Sequence, residues 1–200
     1  MEQIKKLIRR DWPYFIAITL FFILMVVGGY YLQGSNPQIT RAFQKLFFER
    51  LKQIALLMKG QPVWIQIGII WFNNLIASVT AICLGVFLGI FPLLSLMGNG
   101  LAIGIMQQLV EQNGLAARQF YLGLFLHGVF ELPAFFIAVG LGLRFGTIPF
   151  CLIWQHHMSE QRRPLLRLFF LEARYYLALI TILLFVAAII EITVSPILLQ

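Results

Sequence analysis

Residues 63–110 read VWIQIGIIWFNNLIASVTAICLGVFLGIFPLLSLMGNGLAIGIMQQLV, and none of these side chains carries a charge. A transmembrane helix needs about 20 mainly apolar residues. The stretch is therefore too long for one membrane span and predicts two. Because Pro92 and the glycines of residues 97–100 favour a break, we expect spans at about 63–91 and 94–110.

The whole chain has the composition of a membrane protein. Hydrophobic residues make up 60% of its 200 residues and charged residues 12%, whereas globular domains average about 45–50% and 25%. A soluble domain of this size has too little interior for so many apolar side chains. The composition excludes a cytosolic enzyme, a secreted disulfide scaffold and a disordered tail. It predicts an all-α polytopic membrane helix bundle.

Three further spans flank the uncharged stretch, at about 13–32, 119–143 and 175–195. Tryptophan and tyrosine residues stand at the ends of the first span and open the last, as in the aromatic belts of membrane proteins. Residues 145–154 are apolar but too few to span a bilayer, so they are expected to be interfacial or re-entrant. The chain, residues 1–200, is thus predicted to be a single integral membrane domain with five transmembrane helices.

Residues 37–59 form a different kind of segment. Pro37 follows Ser35-Asn36, which is typical of a helix start. Apolar residues then recur at helical spacing, and most of the basic residues lie on the other side. The pattern predicts an amphipathic helix that lies on a membrane surface or against a partner. The alternative is a solvated linker helix folded onto its own protein.

The formal net charge of +7 is concentrated beside apolar runs. This placement favours anionic lipid headgroups as the partner of the basic residues, and no nucleic acid partner is expected. With the N-terminus in the cytoplasm, the inner segments hold nine Lys or Arg residues and the outer segments six. The positive-inside rule then predicts a multi-pass protein of the cell membrane with a cytoplasmic N-terminus and an external C-terminus.

Two polar residues stand in the middle of the fourth predicted span. Glu131 lies at the midpoint of 119–143, where a carboxylate costs about 2.5–3.5 kcal/mol on insertion scales. His127 precedes it by one helical turn and shares its face. Because ionisable residues inside membranes usually have a function, this pair is the candidate site.

Other spans offer residues that could complete the site. Asn73 and Asn74 in the second span and Glu191 in the last could join His127 and Glu131 around a divalent metal ion. A hydrogen-bonded lock that holds the bundle together, without any cofactor, is an alternative reading of the same residues. A proton relay is a third, and Glu191 alone could instead extend to the membrane interface.

Small residues share a helix face with the polar ones on two spans. In the fourth span they are Gly123, Ala134, Ala138 and Gly142, and in the second span they are Ala77, Ala81, Gly85 and Gly89. Small residues let two helix backbones approach closely in a membrane. The two rows are therefore predicted to pack on each other, with Asn73 or Asn74 hydrogen-bonded to His127 or Glu131.

Motifs of hydrolytic and nucleotide-dependent enzymes do not occur. The order His127-x-x-x-Glu131 is not the zinc-protease motif H-E-x-x-H, and the sequence contains no G-x-S-x-G, Walker A or G-x-G-x-x-G motif. The sequence therefore predicts a protein that is not an enzyme.

The motif residues taken together resemble the stage II sporulation protein M family. The matching segments are Trp71-Phe72-Asn73-Asn74, Gly85 to Gly89, Asn99-Gly100 with Gly104, His127-Gly128-x-x-Glu131-Leu132-Pro133-Ala134, Gly140-Leu141-Gly142-Leu143-Arg144, and Ile190-Glu191 through Pro196. The resemblance covers roughly residues 65–196. The resemblance implies a membrane protein of about five spans that acts as a scaffold with peptidoglycan-remodelling partners. In hosts that form spores, it implies a role in engulfment.

Two functional hypotheses remain open at this stage. The first is a non-catalytic membrane scaffold, expected to be a homodimer, that recruits partners through the helix at 37–59. The second is a transporter or channel-like protein that binds an ion at Glu131 and His127. Transporters built from inverted repeats show internal similarity, which this sequence lacks, so the scaffold is favoured.

Overall fold

The computed structural model describes residues 2–114, 117–158 and 164–193. Within these ranges, the side chains of residues 4, 39, 43, 47, 117, 119, 120, 122–127 and 153–158 are outside the description. The described chain contains no strand and forms six helices: α1 Glu2–Ser35, α2 Pro37–Met58, α3 Val63–Leu84, α4 Ile90–Gln112, α5 Ala117–Met158 and α6 Leu165–Thr193. The predicted all-α bundle is confirmed.

Five of the described helices are long and apolar enough to cross a membrane, as predicted. The qualifying segments are Lys5–Ser35, Val63–Leu84, Ile90–Gln112, Gly128–Leu152 and Leu165–Thr193. The helix between the first two, α2, is the amphipathic segment predicted at 37–59. The helix α2 differs from the other helices because most of its described side chains, both apolar and basic, are exposed.

The boundary between α3 and α4 differs from the prediction. The helix α3 ends at Leu84 and α4 begins at Ile90, so the expected bounds of 91 and 94 are wrong. Gly89 adopts a left-handed conformation with φ of 73° and caps the start of α4. Pro92 then falls in the first turn of α4, where its missing N–H leaves no helical hydrogen bond unmade. Residues 97–100 lie inside this helix and form no break.

The helix α5 continues far beyond the predicted span. The helix ends at Met158, so residues 145–154 continue α5 and do not form a separate segment as expected. Tertiary packing explains the continuation: the ring of Phe145 stacks on that of Phe169 in α6, with centroids 4.9 Å apart, and Ile148 is buried in the core. The helix α6 begins at Leu165, ten residues before the predicted membrane span of 175–195.

The main core lies between α5 and α6, and α1 and α3 close it on two sides. Tyr176, Ile180 and Leu184 follow one face of α6 and are at most 1% exposed. Ala134 and Ala138 of α5 are fully buried in the same cluster. Small residues on one helix and large ones on the other let α5 and α6 pack closely along their length.

The helix α1 packs along α4 through glycines. A Cβ atom added to Gly104 would overlap the carbonyl oxygen of Val26, and one added to Gly29 would overlap the carbonyl oxygen of Leu101. At Gly100 an added Cβ would lie 2.7 Å from the Cβ of Met25. Membrane helices gain little from the hydrophobic effect when they associate, so such close backbone approach is a main source of their attraction.

Substitution of Gly104 tests this contact. We expect Gly104→Ala to lower the free energy of unfolding by about 1–3 kcal/mol, because the added methyl group forces α1 away from α4. Gly98→Ala is the matched control in the same helix, since nothing lies within 4 Å of a Cβ there. The measurement is denaturant unfolding of the purified protein in detergent micelles. Equal losses in the two variants would contradict the packing described here.

Candidate functional site

Four charged side chains and one tyrosine meet between α1, α5 and α6. We call this group, Arg10, Asp11, Arg144, Glu172 and Tyr176, the Asp11 layer. Arg10 donates to both carboxylates, with Nη1 2.6 Å from Oε1 of Glu172 and Nε 2.8 Å from Oδ1 of Asp11. Arg144 also reaches both, at 2.7 Å to Glu172 and 3.3 Å to Asp11. The Tyr176 hydroxyl donates to Asp11 over 2.8 Å.

The Asp11 layer is neutral as a whole, with two positive and two negative groups. Asp11 is only 6% exposed, and a carboxylate so far from water is stable only when it is paired and hydrogen-bonded. Its partners come from three helices, so the pairing of Asp11 holds α1, α5 and α6 together. Both carboxylates already accept several hydrogen bonds, which favours a structural role over proton transfer.

The free space beside this layer is small. A cavity of about 10 Å³ is lined by Asp11, Tyr14, Gly140 and Arg144, among others. This is about the room of one water molecule. The Asp11 layer therefore has space for a bridging water but not for a substrate.

A second polar group lies at the opposite end of the spanning helices. We call Tyr30, Gln107, Glu111 and Tyr121 the Glu111 layer. The Tyr30 hydroxyl donates to Glu111 over 2.8 Å, and the Gln107 amide donates to the other carboxylate oxygen over 2.9 Å. Tyr121 donates to the Gln107 side-chain oxygen. This layer joins α1, α4 and α5 as the Asp11 layer joins α1, α5 and α6.

The separation of the two layers matches a bilayer. On α1, Tyr30 follows Asp11 by nineteen residues, or about 28 Å at 1.5 Å per residue. On α5, Arg144 follows Tyr121 by 23 residues, or about 34 Å. The hydrocarbon core of a membrane is about 30 Å thick. The two layers are thus spaced as side chains at the two membrane boundaries would be.

Glu131 lies nearly midway between these layers along α5, about 15 Å from Tyr121 and about 20 Å from Arg144. Glu191 of α6 is close enough for its charge to act on Glu131. The side chain of His127 is outside the described residues. Among those described, no three His, Cys, Asp or Glu side chains form a group that could hold a metal ion. The metal site therefore stays a prediction.

The two asparagines lie on α3 and bind each other. The side-chain amide of Asn73 donates to the side-chain oxygen of Asn74 over 3.0 Å. Asn73 also lines a groove toward α4. The hydrogen bond that the structure shows for this pair is thus within α3, whereas the sequence predicted one to His127 or Glu131.

The two rows of small residues meet at their ends. A Cβ atom added to Gly85 would overlap Gly142, and one added to Gly142 would lie 2.7 Å from the Ala81 carbonyl oxygen. Gly146, which the sequence analysis did not include, touches Gly85 and Gly89 in the same way. Ala138 is buried in the main core, and the surroundings of Gly123 are outside the described residues.

Ala77 does not share this contact, because it is exposed and lines the groove toward α4. A helix has 3.6 residues per turn, so residues at a spacing of four drift around it by about 40° per step. Ala77 therefore points well away from Gly85, two steps later. The predicted row is too long to face a single neighbour.

The Asp11 layer was not predicted from the sequence. The basic residues of the inner segments entered only as a count for the positive-inside rule. One signal was available: Asp11 stands among basic residues at the predicted inner end of the first span, and Arg144 and Glu172 are at inner ends too. Which of these charges would meet depends on helix packing, which a single sequence does not give.

A family model for stage II sporulation protein M matches residues 17–196. The chain belongs to this family. No curated protein and no solved structure matches it. The match to stage II sporulation protein M includes Arg144, Glu172 and Tyr176, while Asp11 lies before its first residue. The predicted resemblance over residues 65–196 is thereby confirmed, and the match extends it back to residue 17.

Removal of Asp11 tests the role of the Asp11 layer. We expect Asp11→Ala to destabilise the protein by about 3–5 kcal/mol, because it leaves two arginines with one carboxylate. Glu49→Ala removes an acid from the exposed surface of α2 and is the matched control, with an expected change under about 0.5 kcal/mol. Thermal unfolding in detergent gives the comparison. A similar melting temperature for both variants would show that the layer does not hold the helices.

Proposed function

We propose that this member of the stage II sporulation protein M family is a non-catalytic membrane scaffold. The observation that carries the proposal is the contrast between the bundle and α2. Polar side chains at both ends of the bundle are paired across helices, which supports a rigid frame. The family is generally non-catalytic, and the cavity at the Asp11 layer is too small for a substrate.

The helix α2 is the surface on which partners would bind. It exposes large apolar side chains, with Leu46 69%, Leu56 59% and Leu57 63% accessible. Its lysines and Arg41 are exposed as well. Such a helix is suited to a membrane surface or a second protein. A second copy of the chain, giving a homodimer, and peptidoglycan-remodelling proteins are the partners we propose.

The proposed orientation of the protein in the membrane rests on the basic residues of α1. Basic residues surround the Asp11 layer, with Lys5, Lys6 and Arg9 before it on α1. The positive-inside rule places this end, and the N-terminus, in the cytoplasm. The helix α2 follows the opposite end of α1 and would then lie outside the cell membrane. This is the side on which peptidoglycan is remodelled.

Cross-linking in intact cells tests the scaffold and its orientation together. In a variant with Cys83→Ala and Cys151→Ala, we expect Leu57→Cys to join peptidoglycan-remodelling proteins through a membrane-impermeant thiol cross-linker. Ile182→Cys is the control, because this side chain is 61% exposed but lies within α6. The products are identified by mass spectrometry.

Two results would contradict the proposal. Adducts of Leu57→Cys that contain no cell-wall protein would argue against the scaffold. Reaction of this cysteine only after the cells are permeabilised would reverse the orientation.

An ion-binding membrane protein is the second candidate, and the electrostatic influence of Glu191 on Glu131, both in helices apolar enough to span a membrane, favours it. Two carboxylates within reach of each other's charge attract a divalent cation or a proton. In this case His127 and Glu131 would bind an ion near the middle of the membrane.

Metal analysis separates this candidate from a structural lock. If the ion site exists, the purified wild-type protein holds a stoichiometric metal that is lost in both Glu131→Gln and His127→Ala. If the residues only lock the bundle, the wild type is free of metal and both variants melt at lower temperature. Elemental analysis and thermal shift on the same samples decide between them.

A further inference from the structure

A groove of about 540 Å³ lies between α3 and α4. Its volume is within the range of about 300–1,000 Å³ that ligand pockets occupy. The lining on α3 extends from Asn73 to Leu84, which is about 16 Å of helix. The groove is open to the surroundings of the bundle, and its walls include Ile76 and Leu94, which are each 50% exposed. Its length and open side suit a chain-like molecule.

One side chain of α2 enters the lining of this groove. Arg50 is exposed, and no hydrogen bond or ion pair engages its guanidinium among the described residues. Arg10 and Arg144, by contrast, are each paired with carboxylates. A guanidinium without a carboxylate partner can pair with a phosphate group of a ligand. The groove lacks an acidic lining residue, so no carboxylate of the lining competes for Arg50.

The remaining polar groups of the groove are neutral. Besides Asn73, these are the hydroxyls of Thr80 and Ser95. Neither hydroxyl donates a hydrogen bond elsewhere in the part of the chain that the structure describes. Such amide and hydroxyl groups can donate hydrogen bonds to the oxygens of a bound lipid. The apolar side chains between them provide the surface for an acyl chain.

We propose that this groove binds an anionic glycerophospholipid. The phosphate of the lipid pairs with Arg50, and one acyl chain lies along the groove between α3 and α4. The lipid supplies the negative charge that the lining lacks and covers the apolar wall below α2. This binding does not depend on the scaffold role, because a lipid in the groove is compatible with either proposed function.

Lipid binding to the delipidated protein in neutral detergent is the test, with native mass spectrometry as the readout. We expect phosphatidylglycerol to bind at least about tenfold more tightly than phosphatidylcholine, since a charge-assisted hydrogen bond contributes about 1.5–3 kcal/mol. Inorganic phosphate should not compete, because it lacks the acyl chain. Arg50→Gln should lower phosphatidylglycerol affinity about tenfold, whereas Lys52→Gln, on the same helix but outside the groove, should not.

A second pair of variants tests the groove without removing Arg50. Ala77→Phe fills the groove and should abolish the preference for phosphatidylglycerol. Val79→Phe adds the same ring to an exposed position of α3 that does not line the groove, and should leave binding unchanged.

Three results would overturn the proposal. Equal losses in Arg50→Gln and Lys52→Gln would mean that only surface charge attracts the lipid. Unchanged binding in Ala77→Phe would place the lipid elsewhere. Loss of a dimer in Arg50→Gln, with phosphatidylglycerol affinity unchanged, would assign the groove to a second copy of the chain.

Discussion

Three helices of this bundle share two positive and two negative side chains, and their mutual neutralisation fixes how α1, α5 and α6 stand relative to one another. Arg10 and Arg144 each reach both Asp11 and Glu172. Asp11 is only 6% exposed, so its carboxylate depends on these partners for its stability. The network determines which faces of the three helices meet.

The other helices join this frame through backbone contact. Glycines let α4 approach α1, and Gly85 of α3 meets Gly142 of α5. These contacts need no apolar driving force, which lipid-exposed helices lack. The side chains that remain available are those of α2 and of the groove below it. Paired charges and glycine contacts thus form the frame, and α2 and its groove are available for lipid or protein partners.

The number and type of the elements could be predicted from the sequence, because hydropathy and helical periodicity are local properties. Five spans and the amphipathic α2 followed from them directly. The continuation of α5 beyond residue 143 could not be predicted, since the stacking of Phe145 on Phe169 joins residues of two different helices. For the same reason the charged residues of the Asp11 layer were not predicted to form one network. The spacing of four residues between Gly100 and Gly104 is typical of close helix contact, but the contact of α4 with α1 was not predicted from it.

We infer from their separation that the Asp11 and Glu111 layers mark the two boundaries of the membrane. The most direct test is the depth of nitroxide labels along the lipid-facing side of α1 in bilayers, from their accessibility to oxygen and to a nickel complex. Labels at Leu20 and Leu24, which are exposed between the layers, should be the deepest, and those at Trp12 and Tyr31 should be at the interfaces. A label at Trp12 or Tyr31 that is deeper than the one at Leu24 would contradict the account.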